Sequence, residues 1–308
     1  MRVRLGINTC FAVKRWPEPE DWASIVAERL GLGLVQHSLD LEGGRRAADD
    51  VTAAAGAIRA ATETRGLTVH STFTGLAAYS RNLLLDPEPA AREEARAYLR
   101  GAVDLTAALG GVATGGHVGA FSVGDWADPD RRSIRWADLQ ASLAGLARDA
   151  RRAGLEYLMV ENLAAAREPS TMAMIGDLLT DGDVKRVPIR LCLDVGHMCV
   201  PGTTGSDRDP YAWLRQLGTA APVVQLQQSD AAGDHHWPFT PARNAEGRID
   251  ARRVLAALVD GGVTETALVL EVIPPFEQAD DEVLDDLERS VDHWREALVA
   301  SGIDAGER

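Results

Sequence analysis

Eight short β-type runs alternate with eight amphipathic runs along the 308 residues of the chain, and this alternation constrains its fold more than any other feature. The β-type runs lie at 3–8, 33–39, 67–72, 111–117, 155–162, 189–195, 222–228 and 267–273. The helical runs lie at 19–31, 49–66, 89–110, 136–154, 168–182, 211–218, 250–262 and 282–302. Strands that alternate with helices pair in parallel through helical crossovers.

Eight strand–helix units in a chain of this length predict an α/β fold, a single (β/α)8 TIM barrel. The structural alternative is a doubly wound open sheet, which a glycine-rich fingerprint after the first strand would favour. The segment GINTCFAVKRW at 6–16 has no such fingerprint, and no Walker-type loop occurs elsewhere. The chain also contains no low-complexity linker, so we expect one domain over residues 1–308.

The amino-acid composition of the chain limits the classes of binding partner that we expect. The net charge is −14, which argues against binding to duplex nucleic acid because such proteins usually carry a basic face. The three cysteines show no secretory pattern, so a disulfide framework is not expected. Neither a signal peptide nor a run of 18 apolar residues is visible. We therefore expect a cytoplasmic protein with no membrane partner.

Acidic residues stand where several of the predicted strands end. Glu161 ends the fifth run, Asp194 ends the sixth, and Glu271 lies late in the eighth. The functional groups of a parallel barrel collect at these strand ends. Carboxylates crowded there repel one another unless protons or a divalent cation bind to them. The pattern predicts a site for Mn²⁺, Mg²⁺ or Co²⁺, or for Zn²⁺ if histidines take part.

Histidines and glutamines follow the same distribution. Of the seven histidines, all but His293 lie in predicted strands or in the loops after them. Gln225 and Gln227 lie two apart on the seventh run, and therefore on one face of it. A single buried histidine or glutamine often has only a structural role. Their joint occurrence beside strand-end acids favours a functional site.

The motifs of the chain resemble those of the xylose-isomerase-like TIM-barrel superfamily, which includes sugar and sugar-phosphate isomerases and epimerases and zinc-dependent AP endonucleases of family 2. The resemblance extends over nearly the whole chain. It is carried by VEN at 160–162, LDVGH at 193–197, QLQQSD at 225–230, GDHHWPF at 233–239, EGRID at 246–250 and LVLEV at 268–272.

This resemblance implies a metal site whose four ligands are Glu161, Asp194, Gln225 and Glu271. Relatives usually have histidine at the position of Gln225. A glutamine carbonyl oxygen still binds a hard cation, so the change favours Mg²⁺ or Mn²⁺ over Zn²⁺. Gln227 is the alternative fourth ligand.

The resemblance also implies substrate-binding residues. His197 and His236 match positions that hold substrate oxygens in the epimerases, and we expect Asp234 to orient His236 in the loop after the seventh strand. We include His70 and His117 among the candidates for substrate binding. All five residues equally match the additional zinc positions of the AP endonucleases.

The chemistry implied is that of a metal-dependent isomerase or epimerase acting on a small ketose, ketose phosphate or keto-acid sugar through a metal-stabilised cis-enediolate. Glu161 and Glu271 are the expected catalytic residues, one taking a proton and the other returning it. Three alternatives remain: a decarboxylase of a β-keto sugar acid, a zinc AP endonuclease, and a non-enzymatic ligand-binding barrel. Gln225 and the acidic chain argue against the endonuclease. Relatives are often dimers or tetramers, so a homodimer or homotetramer is expected.

Overall fold

Eight parallel strands follow one another in chain order around a closed barrel. The structure, a computed structural model, describes residues 1–42 and 48–305, and all of their side chains except those of 48–50. The strands are β1 (Arg2–Asn8), β2 (Leu34–Ser38), β3 (Thr68–Phe73), β4 (Ala113–Gly116), β5 (Tyr157–Glu161), β6 (Ile189–Asp194), β7 (Val223–Leu226) and β8 (Glu265–Leu270). The predicted (β/α)8 barrel is confirmed.

Ten α-helices occur within the described residues. They are α1 (Pro19–Ser24), α2 (Ala48–Glu63), α3 (Pro89–Leu109), α4 (Val123–Ala127), α5 (Pro129–Ala153), α6 (Met172–Leu178), α7 (Pro210–Leu217), α8 (Pro241–Glu246), α9 (Ala251–Asp260) and α10 (Asp280–Ala300). A five-residue π-helical turn, Ile25–Arg29, continues α1. None of the described helices has both the length and the apolar composition that crossing a membrane requires.

Two helices differ clearly from their predicted bounds. Helix α5 starts seven residues earlier than predicted, because the side chain of Asp128 caps it and Pro129 occupies its first position. Helix α6 begins only after Thr171, whose hydroxyl accepts a hydrogen bond from the Met174 N–H. The preceding predicted helical residues contain Pro169, and proline disfavours a helical conformation in the residue before it.

The chain divides into two compact units. The first comprises the described residues of Met1–Gln36, Ala61–Thr68 and Cys192–Arg308, and the second comprises those of His37–Ala60 and Val69–Leu191. In the second unit β4 lies between β3 and β5, in a register that aligns Ser71, Ala113 and Tyr157. The assignment of residues 1–308 to one domain stays a prediction.

Strand register in the first unit places polar side chains near one another. Strand β7 lies between β6 and β8, and Asp194 at the end of β6 pairs with Gln225 on β7. Gln227 and Glu271 are each the first residue beyond their strands. The apolar residues before them are buried, so these polar groups must find partners or pay a desolvation cost of about 1–3 kcal/mol each.

Candidate active site

A network of buried amides surrounds the carboxylate of Glu271. Its Oε1 accepts hydrogen bonds from Asn8 Nδ2 at 3.1 Å and from Gln225 Nε2 at 2.9 Å. Both amide nitrogens also donate to Gln36 Oε1, each at 2.9 Å. A carboxylate oxygen in its ionised form can only accept, so the contact with Glu271 determines which end of the Gln225 amide is the nitrogen.

This orientation leaves the carbonyl oxygen of Gln225 available to accept a hydrogen bond. Gln225 Oε1 is buried and has no hydrogen-bond partner among the residues that the structure describes. The corresponding oxygen of Gln227 accepts the backbone N–H of His236 at 2.7 Å. An orphaned buried oxygen suits a cation or a substrate hydroxyl, so the geometry favours Gln225 over Gln227 as an oxygen donor.

Asp194 is oriented by the side chain of Gln227. Its Oδ1 accepts the N–H of Gly196 at 2.6 Å, and Gln227 Nε2 lies 3.1 and 3.2 Å from its two oxygens. A Cβ atom on Gly196 would lie 2.4 Å from Cδ of Gln227. The glycine of the LDVGH motif therefore leaves the space that Gln227 needs to reach the carboxylate.

A carboxylate between two imidazoles forms a second part of the site. Asp234 Oδ2 lies 3.2 Å from Nε2 of His197 and 3.2 Å from Nε2 of His236. Gln227 Nε2 donates to the other oxygen at 2.7 Å. Burial acts to raise the pKa of Asp234, but the two imidazoles outweigh it and hold that pKa well below its ordinary value. Asp234 is therefore an ionised acceptor at neutral pH.

His236 is held in an uncommon backbone conformation. Its φ is 49°, in the left-handed region that residues other than glycine rarely adopt. Its backbone N–H donates to Gln227, and its carbonyl accepts the Ile273 N–H at 3.1 Å. Its ring Nδ1 lies 3.2 Å from the Glu271 carbonyl and 3.7 Å from Glu271 Oε2. These contacts stabilise the conformation and direct the ring at the carboxylates of Asp234 and Glu271.

Two overlapping groups of side chains in the first unit could hold a metal ion. Donor atoms of Asp194, His236 and Glu271 lie within 4.8 Å of one another, and so do those of His197, Asp234 and His236. The first group, with the orphaned amide oxygen beside it, offers the oxygen-rich set with one imidazole that Mn²⁺, Mg²⁺ or Zn²⁺ accept. The sequence predicted that His236 binds only the substrate, whereas the structure also places its ring among the candidate metal ligands.

In the second unit, Glu161 is the last residue of β5 and is fully buried. Its Oε2 accepts the hydroxyl of Tyr79 at 3.2 Å, and the Tyr79 ring stacks on His117 with centroids 4.5 Å apart. His117 directly follows β4, and its backbone N–H donates to Thr74 Oγ1 at 2.7 Å. Both residues lie at the carboxyl ends of their strands, where the sequence placed them.

His70 requires a correction. It lies in the middle of β3 and not at the strand end where the other candidates lie, with Nδ1 3.1 Å from the Ser71 hydroxyl. Its Nε2 lies 3.3 Å from the hydroxyl of Tyr157, which begins β5, whereas Glu161 ends that strand. These contacts direct His70 toward the amino end of β5. We therefore remove it from the proposed substrate-binding set.

His235 also has structural partners. Its ring stacks on Trp237 with centroids 4.0 Å apart and planes 2° apart, and its Nε2 lies 3.0 Å from Asp230 Oδ1. Arg243 covers the same Trp237 ring at 4.4 Å. Adjacent histidines of one loop therefore differ in role, because only His236 belongs to the donor groups.

Sequence reasoning missed three residues. Asn8 and Gln36 belong to β1 and β2, and they would have been found had the strand-end search included amides on these two strands. Tyr79 lies in the loop after β3, where no periodicity or motif marks it.

Comparison with known proteins identifies the family. The sequence model of the xylose isomerase-like TIM barrel matches residues 26–297. The chain is 30% identical to D-erythrulose 1-phosphate 3-epimerase of Brucella abortus (strain 2308), over 100% of this chain and 99% of that protein.

Solved structures agree in fold. A crystallised protein from Rhodospirillum rubrum ATCC 11170, named after xylose isomerase, superposes with a TM-score of 0.87 at 34% identity, over 96% of this chain and 99% of that one. The D-psicose 3-epimerase of Clostridium cellulolyticum H10 superposes at 0.68 with 14% identity, over 96% and 99% of the two chains, which is a likeness of fold. The chain belongs to the xylose isomerase-like TIM-barrel family.

Proposed function

We propose that this protein is a divalent-metal-dependent epimerase or isomerase of a small ketose or ketose phosphate. One observation carries the proposal: the buried Glu271 carboxylate is held by two amides, within 4.8 Å of donor atoms of Asp194 and His236. The relative that is a D-erythrulose 1-phosphate 3-epimerase favours a four-carbon ketose 1-phosphate and inversion at C3 as the particular reaction.

The residues present fit the metal that the family resemblance implies. We propose Asp194, Glu271, Gln225 and Glu161 as its ligands. His236, which also lies among the donor groups, is assigned to the substrate and is the alternative ligand. The orphaned oxygen of Gln225 supports its inclusion. Such a cation would supply the positive charge that stabilises an enediolate. Mn²⁺ and Mg²⁺ suit an oxygen-rich set best, while Co²⁺ and Zn²⁺ are alternatives.

Proton transfer falls to Glu161 and Glu271. The C–H bond next to the carbonyl breaks, its electron pair forms the enediolate, and the proton passes to an ionised carboxylate oxygen. The other glutamate, in its acid form, gives a proton to the opposite face of the same carbon, or to the neighbouring carbon in an isomerisation. A positioned acid or base typically contributes about 10²–10⁴-fold to the rate.

The remaining site residues would hold the substrate oxygens. We propose that His197 and His236 contact these oxygens, and that the Asp234 carboxylate, 3.2 Å from Nε2 of each ring, orients both. His117, which stacks on Tyr79, stays a predicted substrate-binding residue.

The proposal is tested by incubating the protein with D-erythrulose 1-phosphate and with free ketoses in D₂O, in the presence of Mn²⁺ or Mg²⁺. An epimerase or isomerase incorporates deuterium at the carbon next to the carbonyl, which proton NMR detects. Release of CO₂ from a β-keto sugar acid, without exchange into any ketose, would replace the proposal with decarboxylation.

One observation favours a second candidate, a zinc phosphodiesterase of the AP endonuclease type. His197, Asp234 and His236 form a second donor group, and a multi-zinc site needs additional ligands of this kind. Nicking of abasic DNA, with two or three zinc ions bound per chain, would establish it. The absence of a nucleic-acid partner, the cytoplasmic location and the homodimer or homotetramer stay predictions.

A further inference from the structure

We propose that Tyr79 is a positioning residue that orients the Glu161 carboxylate through its phenol hydroxyl, and that Asp40 anchors the loop that carries it. This inference rests on the proposed function, in which Glu161 transfers a proton. No motif in the sequence marks either residue, and the observations that carry it all lie within the second unit.

The contact is a hydrogen bond to a buried acid. The Tyr79 hydroxyl donates to Glu161 Oε2 at 3.2 Å, and Glu161 is 0% exposed. Because a carboxyl group is planar, holding one oxygen restricts the direction of the other. A proton-transfer carboxylate must keep such a direction to within about 10–20° of the reacting geometry. The phenol holds one carboxylate oxygen and leaves the other oxygen available for proton transfer.

The ring of Tyr79 is itself fixed. It stacks on His117 at 4.5 Å with 15° between the planes, and the His117 backbone N–H donates to Thr74 Oγ1 at 2.7 Å. The Thr74 N–H in turn donates to the carbonyl of Gly115 on β4 at 2.9 Å. The loop therefore leaves β3 tied to the neighbouring strand, and the phenol is presented from a defined backbone.

Asp40 secures the other part of this loop. Its two carboxylate oxygens accept the backbone N–H groups of Leu76, at 2.6 Å, and Ala77, at 3.2 Å, in the turn Leu76–Ser80 that contains Tyr79. A Cβ atom on Gly75 would lie 2.2 Å from Cγ of Asp40, so glycine is needed for this approach. Two independent contacts, with Asp40 and with His117, thus set the position of one phenol.

The test compares Tyr79→Phe with Tyr157→Phe. Both changes remove one hydrogen-bonded tyrosine hydroxyl, but the hydroxyl of Tyr157 contacts His70 at the amino end of β5, whereas Glu161 ends that strand. Tyr79→Phe keeps the ring and its stacking, so the variant should fold, with its melting temperature lowered by only a few degrees for the one hydrogen bond lost. We expect its kcat to fall about 10- to 100-fold, the range for a hydrogen bond to a charged group, with KM changed less than about threefold. Wild-type kcat in Tyr79→Phe would overturn the inference.

A double-mutant cycle with Glu161→Gln separates positioning from a general effect. If Tyr79 acts through Glu161, adding Tyr79→Phe to Glu161→Gln should cause little further loss of kcat. Full additivity of the two losses would show that Tyr79 acts elsewhere and would refute the proposal. Both experiments require that the wild type exchanges deuterium into a ketose. If the wild type exchanges deuterium into no ketose, the proposed function is refuted, whatever the role of Tyr79.

Asp40→Asn gives a second route to the same result. It is isosteric but replaces one acceptor oxygen with a donor, so one of the two loop N–H groups loses its partner. We expect the kcat loss of Tyr79→Phe to be reproduced in part, and to disappear when Asp40→Asn is made in the Tyr79→Phe background. An equal loss in both backgrounds would contradict the anchoring role.

Discussion

Asp234 and His236, two residues apart in the loop after β7, are joined by a 3.2 Å contact between Oδ2 and Nε2. The same carboxylate oxygen lies 3.2 Å from Nε2 of His197, in the loop after β6. One ionised group therefore aligns two imidazoles that arrive on different loops. The arrangement gives a physical reason for the aspartate that lies close to a histidine in the segment GDHHWPF.

The two histidines of that segment should behave differently on substitution. We expect His236→Ala to lower kcat/KM about tenfold or more, because a buried hydrogen-bond partner of the substrate is lost, while the metal remains bound through its carboxylate ligands. His235→Ala is the matched control and should retain activity, since its ring stacks on Trp237 and pairs with Asp230 outside the donor groups. Steady-state kinetics and metal analysis provide the measurements. Loss of the metal from His236→Ala would instead make His236 a ligand.

Removal of the metal should abolish turnover. EDTA treatment followed by dialysis is expected to leave an inactive protein, and Mn²⁺, Mg²⁺ or Co²⁺ should restore activity. Because a ligand that binds only the folded state stabilises it, the same ion should also raise the melting temperature. Metal analysis should find about one ion per chain, because the proposed ligands form a single set. Full activity in a metal-free preparation would exclude the proposed mechanism.

Glu161→Gln and Glu271→Gln should each lower kcat about 10²–10⁴-fold, because each removes a proton-transfer group while keeping the side-chain shape. Glu265→Gln is the control for β8: this residue begins the strand and pairs with Arg2 at the surface. Deuterium exchange into the substrate should be measured together with turnover. Exchange retained at the wild-type rate in both site variants would mean that neither glutamate is the base.

Gly196→Ala should reduce both stability and activity. The added methyl group would lie 2.4 Å from Cδ of Gln227, and displacing that side chain removes the amide from Asp194. Overpacking of this kind costs about 1–3 kcal/mol of unfolding free energy. Gly101→Ala on α3, where a Cβ meets nothing within 4 Å, should instead be neutral or stabilising by up to about 1 kcal/mol. The free energy of unfolding of both variants in urea is the measurement, and equal values for the two would refute the packing argument.

The alternation of strands and helices was readable from the sequence because each element is encoded in short-range hydrophobic periodicity. The same logic located Glu161 and Asp194, since a polar residue that ends an apolar run is visible locally. It erred where local signals were weak or competing. Helix α5 starts at Asp128–Pro129 rather than at residue 136, and His70 contacts the beginning of β5.

Only the tertiary structure decided how these groups are used. The contact between Asn8 and Glu271 joins residues 263 positions apart, and no pattern within either strand encodes it. The orientation of the Gln225 amide, with its carbonyl oxygen left over, follows from that same convergence. Tyr79 reaches Glu161 from a loop without periodicity. Sequence periodicity determines which residues stand at strand ends, whereas hydrogen bonding depends on distances that exist only after the strands have met.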